Sequence, residues 1–246
     1  MIKQTSLPVR IDNDGVVSRI RLNRPEKRNS FNSDIVEALI DAVEKAHRES
    51  MQLIVFEGEG KSFSAGFDFT DLSNQTDASL AFRFLRVETL LQLVASSPVS
   101  TLALAHGPTF GAGADLFTAC DERIVDPDTT FRFPGLKFDV VLGTRRLRDR
   151  AGLETARSVL AEGRTLSAQE AHGAGLATGI SDRNEWSSVI DAAVERARLL
   201  SHEGTASLNA ALEVGEPDLD FAELARSVTV PGLQSRIVEY VEGSRK

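Results

Sequence analysis

The stretch Pro98 to Asp121, PVSTLALAHGPTFGAGADLFTACD, constrains the chain more than any other. Val99 to Ala105 is an apolar and small-residue run of strand length, and Gly107-Pro108 stops it. Gly111-Ala112-Gly113-Ala114-Asp115-Leu116 follows, a small-residue turn that leads straight into a helix. Residues without bulk at 111 to 114 let a ligand approach the backbone, and a helix opening there leaves its first amide N–H groups without partners inside the helix. Such a corner attracts negative charge. No lysine follows the glycines, so the phosphate-loop pattern is absent, and the third glycine of a dinucleotide fingerprint is missing. A transient oxyanion suits the corner better, although small residues also serve close packing of a helix on a strand.

A second corner of the same kind stands earlier. Leu53 to Phe56 reads as a buried strand, and Gly58-Glu59-Gly60 turns out of it into Lys61-Ser62-Phe63-Ser64-Ala65-Gly66-Phe67-Asp68. Val16 to Leu22 predicts another strand, closed by Asn23-Arg24-Pro25, and Arg123 to Val125 and Leu176 to Ile180 predict two more. Ser33 or Asp34 is placed to cap a helix whose buried face is Ile35, Leu39, Val43 and Ala46. Leu80, Phe84, Val87, Leu91 and Val94 mark a helix ending before Pro98, and Ser167-Ala168-Gln169-Glu170 is a capping box. Strand, corner and helix recur without a fixed sequence period, which predicts an α/β layered body over 1–189. Beyond it, 190–246 has helical patterns only, with apolar stripes that need a partner surface.

With 41% hydrophobic and 26% charged residues in 246, the chain reads as globular. Its net charge of −8 argues against a nucleic-acid or membrane-surface partner. No apolar run approaches the ~20 residues of a membrane span, and a cytoplasmic protein is expected. One cysteine, Cys120, excludes an internal disulfide and a Cys/His metal cluster, so no metal is expected.

The residues resemble the crotonase (enoyl-CoA hydratase/isomerase) superfamily. Four places carry the likeness in family order: LNRPEKRNSFN at 22–32, FSAGFD at 63–68, HGPTFGAGADL at 106–116 and LSAQEAHGAGL at 166–176. The resemblance implies a spiral of ββα units with a C-terminal helical region that builds homotrimers or homohexamers. It implies an acyl-CoA substrate, coenzyme A being part of that substrate rather than a separate cofactor. The backbone N–H groups of Phe67 and Ala112 would hold the thioester oxygen, with Gly111 in the same corner. Ala65, Gly66 and Asp68 would line the adenine and pantetheine side, and Lys27 and Arg28 would meet phosphate. Asp115 stands where family hydratases place their first glutamate, and Gly135, after Phe131-Arg132-Phe133-Pro134, stands where they place the second. Asp139, four residues on, shares a face with position 135 if that segment is helical. His106 reads as a residue bracing the turn. Phe67, Phe69, Phe82, Phe84, Phe110 and Phe138 are candidates for an apolar acyl pocket. One carboxylate suffices to move a proton between carbons, whereas hydration normally asks for a second group. Hydration, isomerisation, another enolate reaction (decarboxylation, dehalogenation, thioester hydrolysis) and non-catalytic acyl-CoA binding all remain open.

Overall fold

The structure, a computed structural model, describes residues 7–212 and 214–244; positions 1–6 and 245–246, at the ends of the two expected regions, lie outside it, as does 213. Val9–Asp14 (β1) and Val17–Leu22 (β2) form an antiparallel hairpin around Gly15, whose φ of +57° suits glycine. Ser33–Arg48 (α1) crosses over to Leu53–Gly58 (β3), and Asp77–Ala95 (α2) crosses to Ser100–Ala105 (β4). Pro108–Phe110 (β5) leads through the glycine corner into Ala112–Ala119 (α3), followed by Glu122–Val125 (β6) and Thr130–Arg132 (β7). Next come Thr144–Ala151 (α4), Leu153–Glu162 (α5), Leu166–Ser167 (β8), Ala168–Gly173 (α6) and Gly179–Ile180 (β9). Trp186–Ala197 (α7), His202–Ala211 (α8), Pro217–Val228 (α9) and Leu233–Gly243 (α10) end the described chain.

The main sheet runs β1-β2-β3-β4-β6-β9 and is parallel except for the first pair, as crossover helices require. A second sheet, β5-β7-β8, stands beside it. β3 is buried at every position because both faces are covered. Ile54 and Phe56 join the large core with α1 and α2, while Leu53 and Val55 meet Trp186, Ile190 and Ala193 of α7 on the other face. The 189/190 boundary therefore falls inside α7, a helix that packs on the sheet of the body.

Two expectations need correction. The cap of α1 is Asn32, whose side chain accepts from the Ile35 amide at 3.0 Å, and not Ser33 or Asp34. The strand read over 176–180 is confined to Gly179–Ile180. The Ser167 capping box is present, with the Glu170 amide donating to Ser167 Oγ at 3.2 Å and the Ser167 amide to Glu170 at 2.9 Å. Among the described residues no helix is long and apolar enough to cross a membrane.

The tail is tied to the body by charge as well as by Leu224, Val228, Leu233 and Ile237, which enter the main core. Arg146 on α4, 1% exposed, bonds Glu88 of α2 at 2.5 Å and reaches Asp220 of α9 at 3.4 Å. Asp220 also takes Arg145 at 3.0 Å. Removing one partner of such a network strands the others in a low-dielectric interior. Arg146→Met is expected to lower unfolding free energy by about 3–5 kcal/mol in denaturant titration; a loss under about 1 kcal/mol would show that the ions do not fasten α9 to the body.

Candidate active site

Asn29 assembles the first corner. Its buried amide nitrogen donates to the carbonyls of Glu59, Ser62 and Phe63 at 2.9, 2.9 and 3.1 Å, and its oxygen accepts from the Arg24 amide. The loop it anchors pairs with 65–68: the Ala65 amide donates to Arg28, the Phe31 amide to Gly66 and the Asp68 amide to Phe31. On the other edge the Phe110 amide donates to the Ser64 carbonyl at 2.9 Å. Extended between two neighbours, the corner uses the amides of 65 and 68 and leaves that of Phe67 with no acceptor among the described residues.

The second corner lies directly against it. A Cβ on Gly66, which has φ +86°, would stand 2.5 Å from the Phe110 carbonyl oxygen and 3.2 Å from the Ala112 nitrogen. A Cβ on Gly113 would strike Ser64 at 2.5 Å. Gly111 opens α3, and the Ala112 amide, in the first turn, likewise has no acceptor among the described residues. His106 follows β4 and contacts the Gly60 carbonyl through Nε2 at 3.0 Å, which braces the first turn.

Both corners open on one cleft, with about 530 Å³ of empty space including its mouth. Ala65, Phe67, Gly111, Ala112, Asp115, Pro134 and Gly135 line it, so seven of the residues singled out from sequence meet there. Of the six phenylalanines, Phe67, Phe69, Phe84 and Phe138 reach it, whereas Phe82 is 63% exposed and Phe110 lies outside the lining. Phe67 stacks on Phe84 at 4.1 Å between centroids, and Tyr240 of α10 covers Phe138 at 5.1 Å. Phe133, Leu136, Val140, Leu142, Thr144 and Leu160 also line the cleft and were not singled out as site residues from sequence. Thr144 and Leu160 belong to α4 and α5 and the rest to the connections between elements, and their approach to the cleft depends on contacts that periodicity does not encode.

Asp115, on α3, is 4% exposed, and its Oδ1 is buried without a hydrogen-bond partner. Burial drives its pKa well above the ordinary carboxylate range; the charge of Arg146 opposes the rise and that of Glu88 adds to it. A Cβ on Gly143 would stand 2.2 Å from Oδ1, so this glycine, with φ +65°, makes the room for the carboxyl.

Other expected residues lie elsewhere. Gly135–Phe138 is a single 3₁₀ turn, and Asp139 ends it in a left-handed conformation with φ +59°. The Asp139 side chain is therefore 77% exposed, 3.5 Å from Arg236, and is not brought into the cleft. A Cβ on Gly135 would meet the Val140 carbonyl oxygen at 2.8 Å, because the short 135–140 connection folds back on itself. Asp68 lies outside the cleft lining and holds Arg24 at 2.5 Å and the Thr70 amide at 2.8 Å. Lys27 and Arg28 lie exposed on the adjoining loop. Among the described residues no cluster of His, Cys, Asp or Glu has the makeup of a metal site.

The layered spiral with its paired corners is a crotonase-type fold, as superposition confirms. An enoyl-CoA hydratase from Bacillus halodurans, 22% identical, matches it with a TM-score of 0.82 over 94% of this chain and 99% of that one. The chain belongs to the enoyl-CoA hydratase/isomerase family, whose description matches residues 12–230. A "putative enoyl-CoA hydratase/isomerase" from Bordetella parapertussis is 48% identical, with a TM-score of 0.94 over 96% of this chain and 99% of that one. A probable enoyl-CoA hydratase of Mycobacterium tuberculosis is 36% identical over 180 residues, 71% of this chain and 72% of its own length.

A carboxyl whose folded pKa is raised binds its proton more tightly in the native state, so native stability falls as pH rises through that pKa. Asp115→Asn removes this penalty. Its melting temperature should match that of the wild type near about pH 3 and exceed it increasingly toward about pH 8. An advantage that is absent, or that shrinks with pH, would show that the site favours the ionised carboxylate.

Proposed function

We propose that the chain is an acyl-CoA enzyme that forms a thioester enolate and moves a proton with the single carboxyl of Asp115. One observation carries the reading: in one apolar cleft, two main-chain donors and Asp115 Oδ1 stand without partners among the described residues. A thioester oxygen placed between the amides of Phe67 and Ala112 would accept from both. Each such donor, fixed before reaction, is worth roughly 3 kcal/mol of barrier in other enzymes.

On a 3-enoyl thioester the ionised Asp115 removes a proton from C2, and the freed electron pair moves onto the thioester oxygen. The pair then returns through the conjugated system, C4 takes the proton from Asp115, and a 2-enoyl thioester results. A raised pKa makes Asp115 a stronger base and keeps the acid form available for the return step. Phe84, Phe133, Phe138 and Leu142 supply an apolar wall for the acyl group. Ala65 and Gly66 would flank the pantetheine, Lys27 and Arg28 would reach the phosphates, and Asp68 would fix the loop they stand on through Arg24. Exposed Leu199, Leu208, Leu212 and Leu219 on the C-terminal helices and their linkers support assembly as a homotrimer or homohexamer.

The test follows the absorbance of the conjugated thioester with 3-enoyl-CoA and 2-enoyl-CoA as substrates. Isomerisation is expected, its rate rising with pH along an acid limb placed above the usual aspartate range. Asp115→Ala should lower kcat about 10²- to 10⁴-fold while acyl-CoA still binds. Turnover unchanged in that variant would overturn the role of Asp115, and binding with no conversion would favour a non-catalytic acyl-CoA protein.

A further inference from the structure

A second hollow, with about 850 Å³ of empty space including its mouth, adjoins the cleft. Leu136, Thr144 and Leu160 line both, so the two spaces share one wall with no aromatic side chain in it. The floor of the hollow is apolar, and Leu136 and Leu153 remain 37% and 55% exposed on it. Its rim is cationic: the described residues around it include Arg145, Arg148 and Arg157 against one acid, Glu223. That balance is the reverse of the whole chain, which has 28 lysines and arginines against 36 acids. Arg145 is already engaged by Asp220 at 3.0 Å and Arg148 by Asp149 at 2.8 Å, while Glu223 holds Arg226 at 2.7 Å. Arg157, exposed on α5, has no hydrogen bond or ion pair among the described residues. An apolar surface ending at an unengaged guanidinium suits a ligand with an apolar body and an anionic end.

We propose that this hollow receives the far end of an acyl chain that carries a carboxylate there, so that the cleft takes long ω-carboxyacyl thioesters and Arg157 selects them. The inference rests on the reading of the cleft as an acyl-CoA site and names the kind of acyl group that fits it. The chain leaves the cleft past Leu136, Thr144 and Leu160, lies along Leu153 and brings its carboxylate to the Arg157 guanidinium, whose planar N–H groups match two carboxylate oxygens. Length decides the sign of the preference. A shorter ω-carboxyacyl chain would leave its charge inside the cleft among Phe84, Phe133 and Phe138, with the Asp115 carboxyl as its polar neighbour. A carboxylate taken from water into such surroundings without a counter-charge is strongly disfavoured. A methyl-ended chain gains nothing from the arginine at either length.

The experiment measures calorimetric binding of two pairs of saturated thioesters of equal chain length, suberoyl-CoA with octanoyl-CoA and glutaryl-CoA with pentanoyl-CoA, to wild type, Arg157→Gln and Arg157→Glu. Light scattering gives the molar mass of each protein. Wild type should prefer suberoyl-CoA over octanoyl-CoA by at least about fivefold, and pentanoyl-CoA over glutaryl-CoA by a similar factor. The suberoyl preference should shrink as salt is raised, vanish in Arg157→Gln and reverse in Arg157→Glu. Equal binding of suberoyl-CoA and octanoyl-CoA by wild type, or a preference that survives the charge reversal, would overturn the assignment. So would a preference for glutaryl-CoA as strong as that for suberoyl-CoA, which would put the anion site inside the cleft. A changed molar mass in Arg157→Glu with the preference intact would give the hollow to a second copy of the chain and overturn it as well. If wild type binds none of the four thioesters, the acyl-CoA reading itself falls and takes this inference with it; binding without chain-end selectivity overturns the inference alone.

Discussion

The site depends on how closely two backbone corners approach. The Phe110 carbonyl stands 2.5 Å from where a Cβ of Gly66 would be, and a Cβ of Gly113 would overlap Ser64. Neither contact tolerates a side chain, so glycine at 66 and 113 allows the loop after β3 to lie against the start of α3. That packing leaves the amides of Phe67 and Ala112, beside one cleft, without acceptors among the described residues. Backbone amides are almost always paired, so two left open near one another are donors available to a ligand. The strands behind them hold the arrangement: β3 and β4 are packed on both faces, and Asn29 stitches the N-terminal loop to the first corner with three hydrogen bonds.

Asp115 adds a second departure from what stability alone would select. Its carboxyl is buried, unpartnered at Oδ1 and held toward its neutral form, while Gly143 gives up a side chain to admit it. Close behind, Arg146 joins Glu88 and Asp220 in a buried ionic cluster that both tempers the Asp115 pKa and fastens α9 to the body. The same arginine thus links the fixing of the C-terminal helices to the proton affinity of the site.

Much of this was legible in the sequence for physical reasons. Small residues between a buried run and a helix marked both corners, and the family resemblance singled out Phe67, Ala112 and Asp115 within them. Strand β3 and helices α1 and α2 followed from apolar periodicity. What stayed hidden depends on distance in space. Asp139 reads as a neighbour of position 135 only if the segment is helical, and a 3₁₀ turn ending in a left-handed residue sends it to solvent. Gly143 gains its meaning from lying against Asp115, nearly thirty positions earlier in the chain, and no local pattern announces that. Arg146 reads as one arginine in a basic helix, and only packing reveals that it is buried. Asn29 looks like part of a charged loop, yet it is fully buried because three carbonyls converge on its side chain.

The central claim is that two main-chain donors and one carboxyl converge on a bound thioester. A crystal structure of the chain with a slowly reacting acyl-CoA analogue tests it most directly. The account predicts the thioester oxygen within about 3 Å of the amide nitrogens of both Phe67 and Ala112, with Asp115 facing C2 of the acyl chain. A thioester bound away from these amides, or an acyl chain whose C2 lies out of reach of Asp115, would contradict it.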